Sequence, residues 1–462
     1  MGKQTGNDFG KGSVAGLIIK QALPLSVSQL VQLLYNIVDR IYIGHIAGDD
    51  ITPLTGLGLT LPIVSVIMAF TLLLGQGGAP HFSIYRGKNE PETAARILGN
   101  SFTLLLWGSI IITALSYIFM KPLLFALGAS SASYVYARDY LIIYLIGTIF
   151  QMVATGLNFF IPAEGFPKTS MFNVIAGTVL NLILDPLFIF VFKLGIRGAA
   201  IATVISQFVS FLLVMHFLTR GKAIIKLKKE NMKLDSSIVK MIITMGFTGF
   251  VMEFTNCATQ VVCNRTLKAY SGNQSDLYIT IMTIVNSVRS IMGVAVTGIT
   301  SGAQPVMVFN YGAKNYDRVK AGIRWSFVFA FAYTAVAWFI VFLFPGFFIG
   351  LFSDNIEANA VAIPYLHIFF MAYVFMSLQY SGQSTFMALG KAKQAIFFSL
   401  FRKAILVIPL TIILPMFLSD PIKGIFAAEP VSNVVGGAAS FFTMLFTIYL
   451  TLGKEDKIKD RA

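Results

Sequence analysis

Apolar residues run along this chain in long stretches separated by short polar breaks, and twelve stretches reach the length of a membrane crossing. They lie near residues 14–46, 52–79, 94–120, 134–160, 169–192, 196–218, 238–268, 277–308, 321–348, 358–388, 394–418 and 424–452. A helix spanning the hydrocarbon layer needs about 20 apolar residues. Continuous runs without strand-like alternation argue against a β-barrel. The pattern predicts an all-α integral membrane protein with twelve transmembrane helices. The first run follows a polar start and exceeds the apolar core of a signal peptide, so it is read as helix one and not as a cleaved leader.

Composition supports this class. Of 462 residues, 56% are hydrophobic and 12% charged, about half of the ~25% charged in soluble domains. The net charge of +14 would suit nucleic acid, but its distribution has another explanation. With alternate loops assigned to opposite sides, starting inside, 24 of the 35 Lys and Arg fall inside and eight outside. Arg289, Arg402 and Lys403 fall within helices. This is the positive-inside asymmetry. It predicts cytoplasmic termini and requires no nucleic-acid partner. The longest charged loop, 219–237, divides the chain and is expected to be a solvated cytoplasmic connector, with anionic lipid head groups as the alternative ligand. Cys257 and Cys263 share helix seven as small packing residues, and His45, His81, His216 and His367 form no metal-ligand spacing.

The two halves repeat at an offset of 225 residues. Pro80 falls on Pro305, Gly87 on Gly312, Gly165 on Gly390 and Lys168 on Lys393, and Tyr140-Leu141 falls on Tyr365-Leu366. Six helices per repeat is an even number, so the halves share one orientation, as in many secondary transporters. The expected organisation is a first lobe over 1–218, a linker over 219–237, a second lobe over 238–452 and a cytoplasmic tail over 453–462.

Polar residues inside the runs fall on helix faces. Helix one carries Ser28, Gln32, Tyr35 with Asn36, and Asp39; helix five carries Asn173, Gly177, Asn181 and Asp185. Helix four adds Gln151, Thr155 and Asn158, and helix six Thr203, Gln207 and Ser210. Neutral polar residues often join helices to one another in membranes. A charged carboxylate is different: it costs at least about 2.5–3.5 kcal/mol at the centre of a spanning helix. Asp39 and Asp185 should therefore be protonated, paired, hydrated or bound to a cation, and oxygen ligands suit H⁺ or Na⁺. Pro24 and Pro186 each remove a backbone hydrogen bond and invite a bend. Arg40 recurs as Arg265, whereas Asp39 falls on Asn264, so Arg40 is read as a snorkelling anchor.

The second half lacks the acidic cluster: Asp185 falls on Leu410, Asn181 on Leu406 and Thr203 on Ala428. Glu253 and Arg289 lie at similar depth, which predicts a buried ion pair. Arg402 and Lys403 are expected to snorkel to the inner surface, and Glu429 to be explained by its place at the start of helix twelve, before Pro430. Substrate-cavity candidates are Gln32, Asn36, Glu253, Asn256, Gln260, Asn286, Arg289, Gln379 and Gln383.

Several motifs carry a family resemblance: NDFGKGSV, LPLSVSQLVQLLYNIVDRIYIG, GAPHFSIYRG, NLILDPLFIF with GIRGAAIATVISQ, and SGAQPVMVFNYGAKN. Over essentially its whole length the chain resembles the multidrug and toxic compound extrusion (MATE) family, on its bacterial DinF/MepA-like side. The resemblance implies two six-helix lobes forming a V around a central cavity, with efflux by alternating access driven by inward H⁺ or Na⁺. It assigns ion coupling to Asp39 and Asp185, with Asn181, Thr203, Tyr35 and Asn158 in support, and matches Pro24 to a helix-one proline linked to bending. Some relatives place coupling acids in helices seven and ten. Here Glu253 is displaced by about one turn and helix ten has Gln379 and Gln383 without an acid, so second-lobe coupling is not expected. The expectation is a monomeric exporter of amphipathic cationic drugs or toxic metabolites in a bacterial cytoplasmic membrane. No organic cofactor is expected, and no metal beyond Na⁺ at Asp39/Asp185. The alternatives are a lipid-linked precursor flippase, which would need many basic groups for a pyrophosphate, and a lipid-modifying membrane enzyme, which would gather acids, His or Cys at an interface loop. Nothing matches G-x-x-x-x-G-K-[ST], so direct ATP coupling is not expected.

Overall fold

The computed structural model describes residues 8–44, 52–127, 131–351 and 356–453; the side chains of Asn36, Asp39, Arg40 and Cys257 lie outside the described ones. Among the described residues there is no strand, and twelve helical segments are long and apolar enough to cross a membrane. They are α1 (Val14–Gly44), α2 (Gly56–Gly87), α3 (Pro91–Ala126), α4 (Ser133–Ala163), α5 (Pro167–Val191) and α6 (Ile196–Thr219) in the first half. The second half contains α7 (Ser236–Ser271), α8 (Leu277–Gly312), α9 (Tyr316–Leu343), α10 (Val361–Ala388), α11 (Ala392–Phe417) and α12 (Pro421–Tyr449).

Helix starts follow backbone chemistry more than apolarity. Pro91, Pro167 and Pro421 open α3, α5 and α12, where a missing N–H costs nothing. Asp420 caps α12 by accepting from the Ile422 and Lys423 amides at 3.1 and 3.4 Å. These starts precede the apolar runs by two or three residues, because the capping turn is polar. Pro186 leads directly into a π-helical stretch, Leu187–Val191. Another, Phe401–Val407, lies in α11.

By compactness the chain forms two units, one built on Val27–Phe250 and the other on Phe9–Ser26 with Val251–Ala462. Thus α1 and α7 each begin in one unit and end in the other. The changeovers, after Ser26 and after Phe250, fall within one residue of the repeat offset. Small residues allow the close approach this requires. A Cβ on Gly302 of α8 would come 2.6 Å from the Ala22 amide nitrogen in α1. Its repeat counterpart, Gly77 of α2, would come 2.6 Å from the Gly246 amide nitrogen in α7 and also strike the Ile242 carbonyl.

The expected solvated connector is instead packed. Ala223, Ile225 and Leu227 are buried in the core of the first unit, while the alternating Lys222, Ile224 and Lys226 are exposed. That period of two is the signature of an extended segment with one face covered. Glu164, in the turn between α4 and α5, accepts from the Ile224 and Ile225 amides at 3.0 and 2.9 Å. Asn100 of α3 takes the Asp235 amide at 2.8 Å and donates to the Lys233 carbonyl at 3.1 Å, and Arg96 pairs with Asp235. In the second unit, Arg318 of α9 similarly pins the segment before α1. It donates to the Phe9, Gly12 and Lys11 carbonyls at 2.9, 2.9 and 3.2 Å.

The glycine contacts give a stability test. Gly77→Ala should lower the melting temperature of detergent-purified protein, by about 1–3 kcal/mol of overpacking, because backbone cannot move aside. Gly58→Ala in the same helix meets nothing within 4 Å and should be neutral or stabilising by roughly 0.5–1 kcal/mol. Equal effects would refute the close approach. A second test concerns Glu164. Burial pushes its carboxyl up from 4.5 to about 7, against the opposing pull of the Ile225 amide, Arg86 and the Ile224 amide. The folded state then holds a proton that the unfolded chain releases, so stability should fall as pH rises from 4.5 to about 7. Glu164→Gln should flatten that part of the melting temperature–pH profile.

Candidate functional site

The polar stripes of the first half converge. A cavity of about 300 Å³ is lined by Gln32 and Tyr35 from α1, Gln151, Thr155 and Asn158 from α4, Asn173 and Asn181 from α5, and Thr203 and Gln207 from α6. Gly177 makes room for this on α5: a Cβ there would collide with the Ser210 hydroxyl of α6. The side chains are joined in three groups. Tyr35 donates to Asn181 Oδ1 at 3.0 Å, and Asn181 Nδ2 donates to Asp185 Oδ1 at 2.6 Å. Asn158 donates to Ser170 Oγ at 2.8 Å, and Tyr144 donates to Gln151 Oε1 at 2.6 Å.

Asp185 is fully buried beneath the cavity wall and reaches it through Asn181. The Tyr35–Asn181–Asp185 chain ties α1 to α5 and orients the amide. A hydroxyl that donates must meet the amide oxygen, which leaves the amide N–H for the carboxylate. Thr203, also a cavity residue, gives its hydroxyl to the Ala199 carbonyl of its own helix at 2.9 Å. The backbone of Asp39 continues α1 beyond Tyr35; its side chain and that of Asn36 are outside the described ones. Tyr140, Tyr144 and Thr60 also line the cavity, beyond the residues expected there. The two tyrosines carry a sequence signal: they continue the Gln151–Thr155–Asn158 face of α4 toward its start at helical spacing.

The second half differs from expectation. Arg289 pairs with Glu429, Nη1 to Oε1 at 3.4 Å, and not with Glu253. Arg402 and Lys403 do not reach for the surface; they turn onto the same Glu429 Oε1 at 3.0 and 3.2 Å. Lys403 also contacts Oε2 at 3.3 Å. Arg402 further donates to Asn433 Oδ1 at 3.0 Å. Glu429 lies well inside α12, which begins at Pro421, too far along for the helix N-terminus to account for it. Its buried carboxylate is stabilised by cations from α8 and α11. Glu253 is half-buried on α7, with no ion pair among the described residues.

Of the other candidates, Asn256, Gln260, Asn286 and Arg289 line a small cleft of about 50 Å³ beside Glu429. Asn256, Arg289, Gln379 and Gln383 line a larger one of about 290 Å³. Gln379 donates to Gln383 at 3.1 Å, and Gln260 to Asn264 at 3.0 Å. Cys263 is a free, buried thiol in the apolar core of this unit.

Similarity to known proteins spans the same two halves. The MatE family model matches residues 24–187 and 252–413. The chain is 24% identical over 424 residues to multidrug export protein MepA of Staphylococcus haemolyticus (strain JCSC1435), covering 92% of each chain. It is 25% identical over 460 residues to MepA of Staphylococcus aureus (strain MSSA476), covering 98% of each. Among solved structures, an outward-facing multidrug resistance MATE family transporter of the MOP superfamily superposes with a TM-score of 0.91 at 19% identity. It covers 98% of this chain and 100% of that one. A crystal structure of MATE in complex with MaL6 gives 0.91 at 20%, with the same coverage.

The hydrogen-bond chain is open to a double-mutant cycle. Tyr35→Phe should cost about 1 kcal/mol, the net worth of one hydrogen bond. Asn181→Leu should cost more, because it breaks the bonds to both neighbours. In the Asn181→Leu background, Tyr35→Phe should cost less than it does in the wild type in thermal unfolding. Full additivity would show that the Tyr35–Asn181 bond does not contribute.

Proposed function

This chain belongs to the MatE family, and from that premise we infer that it is a multidrug efflux transporter exporting amphipathic organic compounds, cationic ones among them, in exchange for H⁺ or Na⁺. It is a multi-pass membrane protein. The positive-inside charge asymmetry supports placing both termini in the cytoplasm of a bacterium, with the protein in the cytoplasmic membrane. The observation that carries the coupling assignment is a carboxylate, Asp185, with no exposed surface, joined through Asn181 to Tyr35 at a cavity inside a membrane-spanning unit.

The chemistry of that chain suggests how loading could be felt by α1. With Asp185 ionised, the amide N–H of Asn181 faces the carboxylate and its oxygen holds the Tyr35 hydroxyl. When Asp185 takes a proton it can donate. Asn181 then turns its oxygen toward the acid and offers Tyr35 an N–H, so the tyrosine must accept or let go. Na⁺ would act by another route, drawing carboxylate and amide oxygens into its own shell. Either way, charge neutralisation at Asp185 changes the tie between α1 and α5. Asp39, further along α1, is assigned to the same ion-binding role, and Thr203 and Asn158 supply polar support. One inward charge releases about 2.3 kcal/mol per 100 mV, which is useful work for moving a drug outward.

The test is dye or drug transport in proteoliposomes under an imposed pH gradient or an imposed Na⁺ gradient, using cationic, zwitterionic and anionic compounds. One gradient should drive wild-type transport. Asp185→Asn and Asp39→Asn should each lower that driven rate at least about tenfold, equivalent to ~1.4 kcal/mol, while drug binding persists. Wild-type driven transport by both variants would overturn the assignment.

A further inference from the structure

The second unit contains a charge imbalance that the export reading does not use. Glu429 is the only carboxylate paired with Arg289, Arg402 and Lys403 among the described residues, and all four side chains lie within spanning helices. Three basic side chains face one acid, and the two arginines are charged whatever the state of Lys403, which leaves at least one uncompensated positive charge within the spanning helices, costly unless something balances it. Both carboxylate oxygens are already engaged, Oε1 by all three cations and Oε2 by Lys403. The π-helical stretch of α11 presents Arg402 and Lys403 from adjacent positions to the same carboxylate, the kind of local departure common at functional sites.

Arg289, Arg402 and Lys403 all line the cavity of about 290 Å³. Arg289 is the most accessible of the three, with 26% of its side-chain surface exposed against 12% and 6%. Its Nη1 faces Glu429, and its Nε has no hydrogen-bond partner among the described residues. With Nε buried and Nη1 turned to Glu429, Nη2 is the donor left to give a carboxylate a charge-assisted hydrogen bond. The rest of the wall is mixed: Asn256, Thr297 and Gln379 supply polar groups, while Met252, Val294 and Met376 supply an apolar surface.

We propose that this second-unit cavity binds an amphipathic organic acid, its carboxylate on Arg289 and its apolar body along Met252, Val294 and Met376. The exporter therefore accepts acids as well as cations, from a site separate from the Asp185 cavity. The inference rests on the export reading only for the release of the acid outside; binding itself can be tested without transport or an ion gradient.

The experiment uses full-length protein in phosphatidylcholine nanodiscs, with empty nanodiscs as background. Three fluorescent probes share one apolar body: naphthaleneacetate, naphthaleneethanol and naphthylethylammonium. The acid should bind about tenfold or more tightly than the alcohol, and the cation no better than the alcohol, as expected for one well-placed charge contact. Arg289→Gln leaves Glu429 with two cations and should remove the preference for the acid, while Arg289→Lys should restore part of it. Equal binding of all three probes to the wild type would overturn the proposal, even if a variant failed to fold. So would an unchanged preference in a folded Arg289→Gln protein. Displacement of the acid by phosphatidylglycerol at comparable affinity would move the site to a lipid head group and overturn the assignment to a soluble acid.

Discussion

A charge held inside a bilayer must be answered by another charge, a proton or a bound ion, and the two halves of this protein answer it differently. In the first half, Asp185 is fully buried and joined through Asn181 to the cavity and to Tyr35, and it is proposed to hold an exchangeable ion. In the second half, Glu429 is surrounded by fixed cations on α8 and α11. There the acid is matched by basic side chains of the fold, and the unbalanced charge has the opposite sign. One repeated framework thus supports two electrostatic environments.

Much of the first site is legible in the sequence. Residues four apart on α5, and the matching faces of α1, α4 and α6, share a helix side by geometry alone, and those faces meet around one cavity. The second site is not legible, for a specific reason. Periodicity says which residues share a face, but not which faces of distant helices meet. Arg289 and Glu429 are 140 positions apart, and depth alone points to Glu253 instead. Glu429 is not a helix-start residue because α12 begins at Pro421, capped by Asp420, ahead of the apolar run. The packed strap between the halves does carry a signal, the alternating Ala223, Ile225 and Leu227, but the lysines interleaved with them give the segment the composition of a solvated loop.

The repeat carries more than helix count. Its glycines recur where α1 meets α8 and where α7 meets α2, at Gly302 and Gly77. Each half also secures the segment leading into its first helix: Arg318 grips carbonyls before α1, and Asn100 with Glu164 grips the backbone before α7. The resemblance between halves is therefore one of packing devices, while the ionisable residues differ. The frame and the chemistry are written at different positions of the same repeat.

The exchange of α1 and α7 between units bears on the order of synthesis. Residues Phe9–Ser26 belong with Val251 onward, so the opening turns of α1 cannot complete their packing until α8 has been made. They must wait in the bilayer, their small-residue face uncovered, while more than half of the chain is translated. The second unit is thus closed by a segment made before all of its other helices, and severing the chain between its two repeats would leave each fragment without a piece of its own core.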